Sequence, residues 1–132
     1  MKIVFIVGPT GTGKSNLAIN LASKINGEII SCDSMQIYKS MDIGTAKVSK
    51  EEQEKAKHHL IDVANPTDNF DVSTYQKYAE SIIQKLFSEN KTPIFAGGTG
   101  LYVNSIIYPM SFSSNERNEK LREELEEYCL KN

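Results

Sequence analysis

Between the apolar run KIVFIV at residues 2–7 and a stretch of helical spacing that opens at Lys14 lie Gly8-Pro9-Thr10-Gly11-Thr12-Gly13-Lys14-Ser15, a full match to G-x-x-x-x-G-K-[ST]. No other feature constrains the fold as tightly. An apolar, β-branched run that stops at glycine reads as a central strand buried on both faces of a parallel sheet. Leu17, Leu21 and Ile25 then recur at helical spacing with Ala18 and Ala22 beside them, which predicts a helix with a packing stripe and a C-terminal cap at Gly27. EIISCDS, residues 28–34, is a second strand ending at Asp33. Strand, glycine-rich turn, helix and strand make one right-handed crossover unit. The expected fold class is α/β, a P-loop NTPase-like three-layer fold with a central parallel sheet.

The chemistry of the loop follows from its residue types. Glycines let backbone N–H groups converge on phosphate oxygens, and the following helix adds the partial positive charge of its N-terminus. Lys14 supplies a point charge for the terminal phosphate, and the Ser15 hydroxyl suits a magnesium ion bridging two phosphates. The motif does not choose between ATP and any other compound carrying a diphosphate. Phosphoryl transfer also calls on an arginine to stabilise the transferred group. The 132-residue chain has only Arg117 and Arg122, both on its charged C-terminal stretch.

At this length one domain with a real core is expected, without disulfides or a structural metal. Hydrophobic residues at 39% and charged residues at 24% exclude a disordered chain and a membrane-spanning one. A net charge of −2 provides no global field to draw in nucleic acid, so any RNA contact is local or lies outside this chain. Cys32 and Cys129 form no zinc spacing and read as reduced thiols. The start MKIVFIV is too short for a signal core, so the expected protein is cytoplasmic, without membrane contact, and monomeric.

Further along, residues 35–48 lack a clean period and read as an ordered, functional loop. Ser49 with Glu52 fits a capping box opening a short helix through Lys57, and HHLIDV at 58–63 reads as a strand. Asp71 caps a longer helix with Tyr75, Tyr78, Ala79, Ile82, Ile83, Leu86 and Phe87 at helical spacing. TPIFAGG at 92–98 is another buried strand, and TGLYVNSII opens a helix at its glycines. The last stretch, 115–132, is a charged helix with a narrow seam of Leu121, Leu125 and Tyr128 or Cys129.

Asp33 ends a strand, and in open parallel sheets ligands sit outside the carboxyl ends of the strands. It reads either as the cap of a turn with Ser34, or as a group that supports bound magnesium without ligating it directly, or as a general base for a nucleophile facing the phosphates. GGTGLY at 97–102 is a second strand-to-helix turn, in which Thr99 reads either as a helix cap or as a ligand contact. His58 and His59 are adjacent, point to opposite faces of a strand, and cannot chelate one metal.

GPTGTGKS, DSMQIYKSMDIGTAK, HHLIDV with the Asn-Pro that follows, and AGGTGLYV together resemble, over residues 3–108, the N-terminal part of the tRNA dimethylallyltransferases, also called tRNA isopentenyltransferases. The DSMQIYKSMDIGTAK block carries most of the specificity; small-molecule kinases share the phosphate loop but not that block. The resemblance implies transfer of a dimethylallyl group from dimethylallyl diphosphate to the exocyclic N6 amine of an adenosine next to the tRNA anticodon. It implies that Gly8, Pro9, Thr10, Gly11, Thr12, Gly13, Lys14 and Ser15 hold a leaving diphosphate, with Ser15 on Mg2+, and that Thr10 to Ser15 line a channel shared by both substrates. Asp33 is the implied base, with Lys14 and Thr99 the other catalytic groups, and Asp33, Ser34, Met35, Gln36 and Thr99 are the implied tRNA contacts. The expected organisation is a catalytic core at 1–110, truncated relative to the family's, and the start of a helical tRNA-binding insertion at 111–132. An ATP-dependent small-molecule kinase and a non-catalytic phosphate-binding fragment are the alternatives.

Overall fold

The computed structural model describes residues 2–9, 13–39 and 48–108. In chain order these form β1 (Val4–Val7), α1 (Lys14–Ile25), β2 (Gly27–Ser31), α2 (Ser34–Ile37), α3 (Lys50–Lys55), β3 (His58–His59), α4 (Val72–Ser88), β4 (Thr92–Gly97) and α5 (Gly100–Ile107). The strands form one parallel sheet in the order β1-β4-β2-β3. The chain leaves β1 through α1 to β2 and skips a slot that β4 later fills. The register pairs Val7 with Gly97 and Ser31 with Ala96, so β1, β4 and β2 end at one edge. Whatever follows each strand is thereby gathered there.

Apolar residues on alternate strand positions feed two core layers, one on each face of the sheet. Ala18, Ile19 and Ala22 of α1 pack on Ile29 and Ile94. On the other face, Tyr75, Ala79 and Leu86 of α4 and Tyr102 and Val103 of α5 pack with Ile30, Cys32 and Phe95. Tyr75 and Tyr102 stack at 4.1 Å, and the buried Tyr75 hydroxyl donates to the Ser31 carbonyl at 2.8 Å, so the ring's one polar atom is satisfied. These layers make the expected α/β arrangement with helices on both faces.

Local expectations hold in part. Ser49 and Glu52 form the reciprocal capping box, with Glu52 N–H donating to Ser49 Oγ at 3.2 Å and Ser49 N–H to Glu52 Oε2 at 3.1 Å, but the helix ends at Lys55. Asp71 caps α4 by accepting from Thr74 N–H at 2.8 Å. The stripe expected on α1 is rotated: Leu17 is 57% exposed, while Ala18, Ile19 and Ala22 are buried. The small alanines let the helix backbone come close to the sheet, which turns the larger Leu17 outward. The left-handed cap after α1 is Asn26, not Gly27, which opens β2. HHLIDV gives only two strand residues, because Leu60 and Asp62 adopt positive φ. Within the stretch read as a loop, Ser34–Ile37 form a helical turn. The expected helix at 115–132, with Arg117, Arg122 and Cys129, lies outside the described residues.

At the opposite edge from the strand ends, Glu28 is buried beside His59 and Lys91. Burial, the largest single influence, raises its carboxyl pKa, but hydrogen bonds and charge from His59 and Lys91 together outweigh it and hold it below the ordinary range. This cluster ties β2, β3 and the entry to β4 together from the side away from the glycine turns.

Candidate functional site

The turn after β1 is described at Gly8 and Pro9 and again from Gly13; Thr10, Gly11 and Thr12 lie outside the described residues. Gly13 takes φ +80 and serves as the N-cap of α1. No acidic residue occupies the first turn of α1, so nothing there opposes an anion. Lys14 folds back over the loop, its Nζ donating to the Gly8 carbonyl at 2.5 Å and the Pro9 carbonyl at 2.6 Å. Those carbonyls hold the ammonium beside the helix N-terminus, where a phosphate would compete for it.

Asp33 follows β2 and is the N-cap of α2, its Oδ1 accepting from Met35 N–H at 2.9 Å. The turn-cap role is therefore real and coexists with a place on the cavity wall. Gln36 is buried, and its Oε1 accepts from Ser31 Oγ at 3.0 Å. Met35 is exposed.

Thr99 stands at the N-cap position of α5, yet its side chain does not cap that helix. Its Oγ1 accepts from Ser34 N–H at 3.0 Å and lies 3.4 Å from Ser34 Oγ, while its own N–H donates to the Cys32 carbonyl at 3.0 Å. The second glycine turn is thus bonded to the first residue of α2. It also meets the first glycine turn, since Gly8 N–H donates to the Gly97 carbonyl at 3.4 Å.

A cavity of about 280 Å³ opens where these turns converge, and Gly13, Lys14, Ser15, Asp33 and Gln36 all line it. The parallel sheet thus brings together residues that the sequence separates by up to two dozen positions. Ser34 and Thr99 are bonded to each other, but neither is on the cavity wall. Ser31, Glu52 and His58 line it as well, and these the sequence reading missed. A serine inside the apolar run of β2 was the one available signal; Glu52 and His58 reach the wall only through tertiary placement. Burial, the largest influence on His58, lowers its pKa and favours the neutral ring, and its Nδ1 sits 2.7 Å from the Ala56 carbonyl. Burial pushes the Cys32 thiol up to about 12, which leaves it an inert core group.

The donors on the wall fit a hard divalent cation. Ser15 and Asp33 offer oxygen, and magnesium takes one or two protein oxygens with phosphates and water for the rest. Among the described residues no group of three or more His, Cys, Asp or Glu side chains could hold a metal by itself. The described residues also include no helix long and apolar enough to cross a membrane.

A lysine-bearing loop between strand and helix, at the carboxyl edge of a parallel sheet with helices on both faces, defines a P-loop NTPase-like α/β protein. The profile of the IPP transferase family matches residues 36–132, and the chain belongs to that family. It is 53% identical over 125 residues to the tRNA dimethylallyltransferase of Caldanaerobacter subterraneus subsp. tengcongensis, covering 95% of this chain and 40% of that protein. With the tRNA dimethylallyltransferase of Finegoldia magna it shares 52% identity over 129 residues, 98% of this chain and 41% of that one. Among solved structures, the full-length tRNA isopentenylpyrophosphate transferase of Bacillus halodurans superposes with a TM-score of 0.82 at 43% identity, covering 99% of this chain and 43% of its own. A eukaryotic dimethylallyltransferase, described as acting on tRNA, superposes with a TM-score of 0.79 at 34% identity, covering 88% of this chain and 29% of its own. The chain therefore spans about two fifths of the length of the curated relatives it matches.

Proposed function

We propose that the protein to which these residues belong transfers a dimethylallyl group from dimethylallyl diphosphate to the N6 amine of an adenosine adjacent to a tRNA anticodon. The observation that carries this reading is the shared cavity wall: an anion-ready loop with Lys14 and Ser15 on one side and the Asp33 carboxylate on the other. A kinase needs the loop to hold a phosphoryl group that moves; here the loop holds the group that leaves. The names of the curated relatives, and the eukaryotic enzyme described as acting on tRNA, point the same way.

In this reading the loop amides, the N-terminus of α1 and Lys14 stabilise charge that grows on the diphosphate as its bond to the allylic carbon breaks. Lys14 must leave the Gly8 and Pro9 carbonyls to do so. Ser15 would hold Mg2+, which would supply further charge neutralisation on the diphosphate. The amine nitrogen forms the new bond to the allylic carbon, and its proton passes to Asp33. The Met35 amide on Oδ1 fixes the carboxylate for that task. Gln36, which Ser31 anchors, would read the base. An extruded adenine would bring the amine to the allylic carbon in a cavity shielded from water. Ser34 and Met35 contact the nucleotide, and Thr99 acts next to the reacting groups through Ser34. Residues 1–110 form the catalytic core and 111–132 lead into the tRNA-gripping segment, in a cytoplasmic monomer.

Asp33→Asn in the full-length protein separates the steps. Turnover on tRNA is expected to fall by ~10²–10⁴-fold, with dimethylallyl diphosphate affinity unchanged in calorimetric titration. Retained turnover would remove Asp33 as the base. Tight ATP binding and ATP-dependent phosphoryl transfer, with no response to the prenyl diphosphate, would replace the reading with a kinase.

A further inference from the structure

The HHLIDV segment holds two residues in a backbone conformation that L side chains seldom take. Leu60 has φ +62 and Asp62 has φ +55. Aspartate is among the residues that take this conformation more readily, whereas a left-handed leucine is an outlier that persists only where its surroundings fix it. Leu60 is fixed: its side chain is 4% exposed, in the core layer that also contains Ile37 and Ala64.

The double kink aims three successive N–H groups at α2. Asp62 N–H donates to the Gln36 carbonyl at 3.0 Å, and Val63 and Ala64 N–H both donate to the Ile37 carbonyl, at 2.8 and 3.1 Å. Lys39 N–H donates back to the Ala64 carbonyl at 2.8 Å. A single helical turn of four residues cannot sustain itself, and its last carbonyls have no donors within the helix. Residues 62–64 supply those donors. At its other end α2 is held through the Ser34 N–H by Thr99. In chain order, Asp33 immediately precedes the first anchor, and Gln36 carries the second.

We propose that Leu60–Ala64 is a clamp that positions α2, and with it Asp33 and Gln36, for the acceptor, and that the left-handed backbone at Asp62 sets its register. The catalytic consequence rests on the proposed transferase reading. A misplacement of about 1 Å at a reacting group is enough to lower a rate by ~100-fold, so a clamp remote from the diphosphate can govern turnover.

Asp62 is exposed, so substitution there opens no cavity in the core. Asp62→Asn and Asp62→Gly tolerate the left-handed conformation, and glycine also controls for loss of the side chain; Asp62→Val resists the conformation. In the full-length protein, the Asn and Gly variants are expected to keep kcat/KM for tRNA within about twofold of the unsubstituted protein. The Val variant is expected to lose ~10-fold or more, mainly in kcat. Its affinity for dimethylallyl diphosphate should stay unchanged, and hydrogen exchange should speed up at the amides of residues 62–64. Three results would overturn the clamp: Val matching the unsubstituted protein, Gly falling as far as Val, or Val weakening diphosphate binding as much as turnover. If the unsubstituted protein transfers no prenyl group to tRNA, the transferase reading fails instead. Exchange at residues 62–64 then decides the clamp alone, supported by acceleration in Val but not Gly and overturned without it.

Discussion

The turn after β1 and the turn after β4 are both glycine-rich strand-to-helix junctions at one edge of the sheet, and they need glycine for opposite reasons. At Gly13 a Cβ would meet nothing within 4 Å; what excludes other residues is the φ of +80 that starts α1. At Gly13 that turn is open, with room beside the backbone. At Gly97 a Cβ would fall 2.6 Å from the Cys32 carbonyl carbon and 2.7 Å from its oxygen, and at Gly98 it would fall 2.9 Å from the Gly8 oxygen. That turn is closed, with three stretches of backbone pressed together. Similar composition thus marks an open helix start in one place and a packing joint in the other, and the joint presses against the backbone that leads into Asp33.

Three substitutions test this contrast, beginning with the largest effect. Gly97→Ala forces a methyl into the Cys32 peptide, which cannot retreat as a side chain could, and should cost about 3 kcal/mol of stability. Chemical denaturation reads this as a lower midpoint at unchanged slope; a midpoint like that of the parent chain would break the packing half of the comparison. Lys14→Ala should do the reverse. The loss of a charge-assisted contact to the diphosphate lowers affinity by ~10–100-fold, while stability moves by less than about 1 kcal/mol, since only the bonds to the Gly8 and Pro9 carbonyls disappear. Titration with dimethylallyl diphosphate alongside a melt separates the two. The smallest effect is at Gly100, where a Cβ meets nothing within 4 Å in the first turn of α5. Gly100→Ala should stabilise the chain by about 0.5–1 kcal/mol by restricting the unfolded state, without touching diphosphate binding. A loss there would mean the second turn is strained beyond Gly97 and Gly98.

Much of this is legible in the sequence alone. The phosphate loop, the strand on either side of α1, the capping box at Ser49 and the Asp71 cap are local signals, each fixed by residue types within a few positions. Asp33 and Gln36 were readable as site residues through family resemblance, and the cavity wall has both. What was illegible depended on distant neighbours. Periodicity alone favoured Leu17 as part of the buried stripe of α1, but the sheet takes the alanine face because it permits a closer approach. HHLIDV has the composition of a strand, yet only its first two residues pair, since the chain must bend toward α2. Thr99 has the sequence of a helix cap, and its hydroxyl instead accepts from Ser34, a residue 65 positions away.

The sequence by itself determined most of the elements, the P-loop architecture and the family, because periodicity, capping and a dense glycine-lysine motif act over short stretches of chain. Only the tertiary structure decided that Lys14, Asp33 and Gln36 share one cavity, that His58 and Glu52 join them, and that Leu60–Ala64 holds the turn between. Those relations arise from parallel strand register and backbone close approach, which belong to pairs of segments far apart in sequence and are written in neither segment alone.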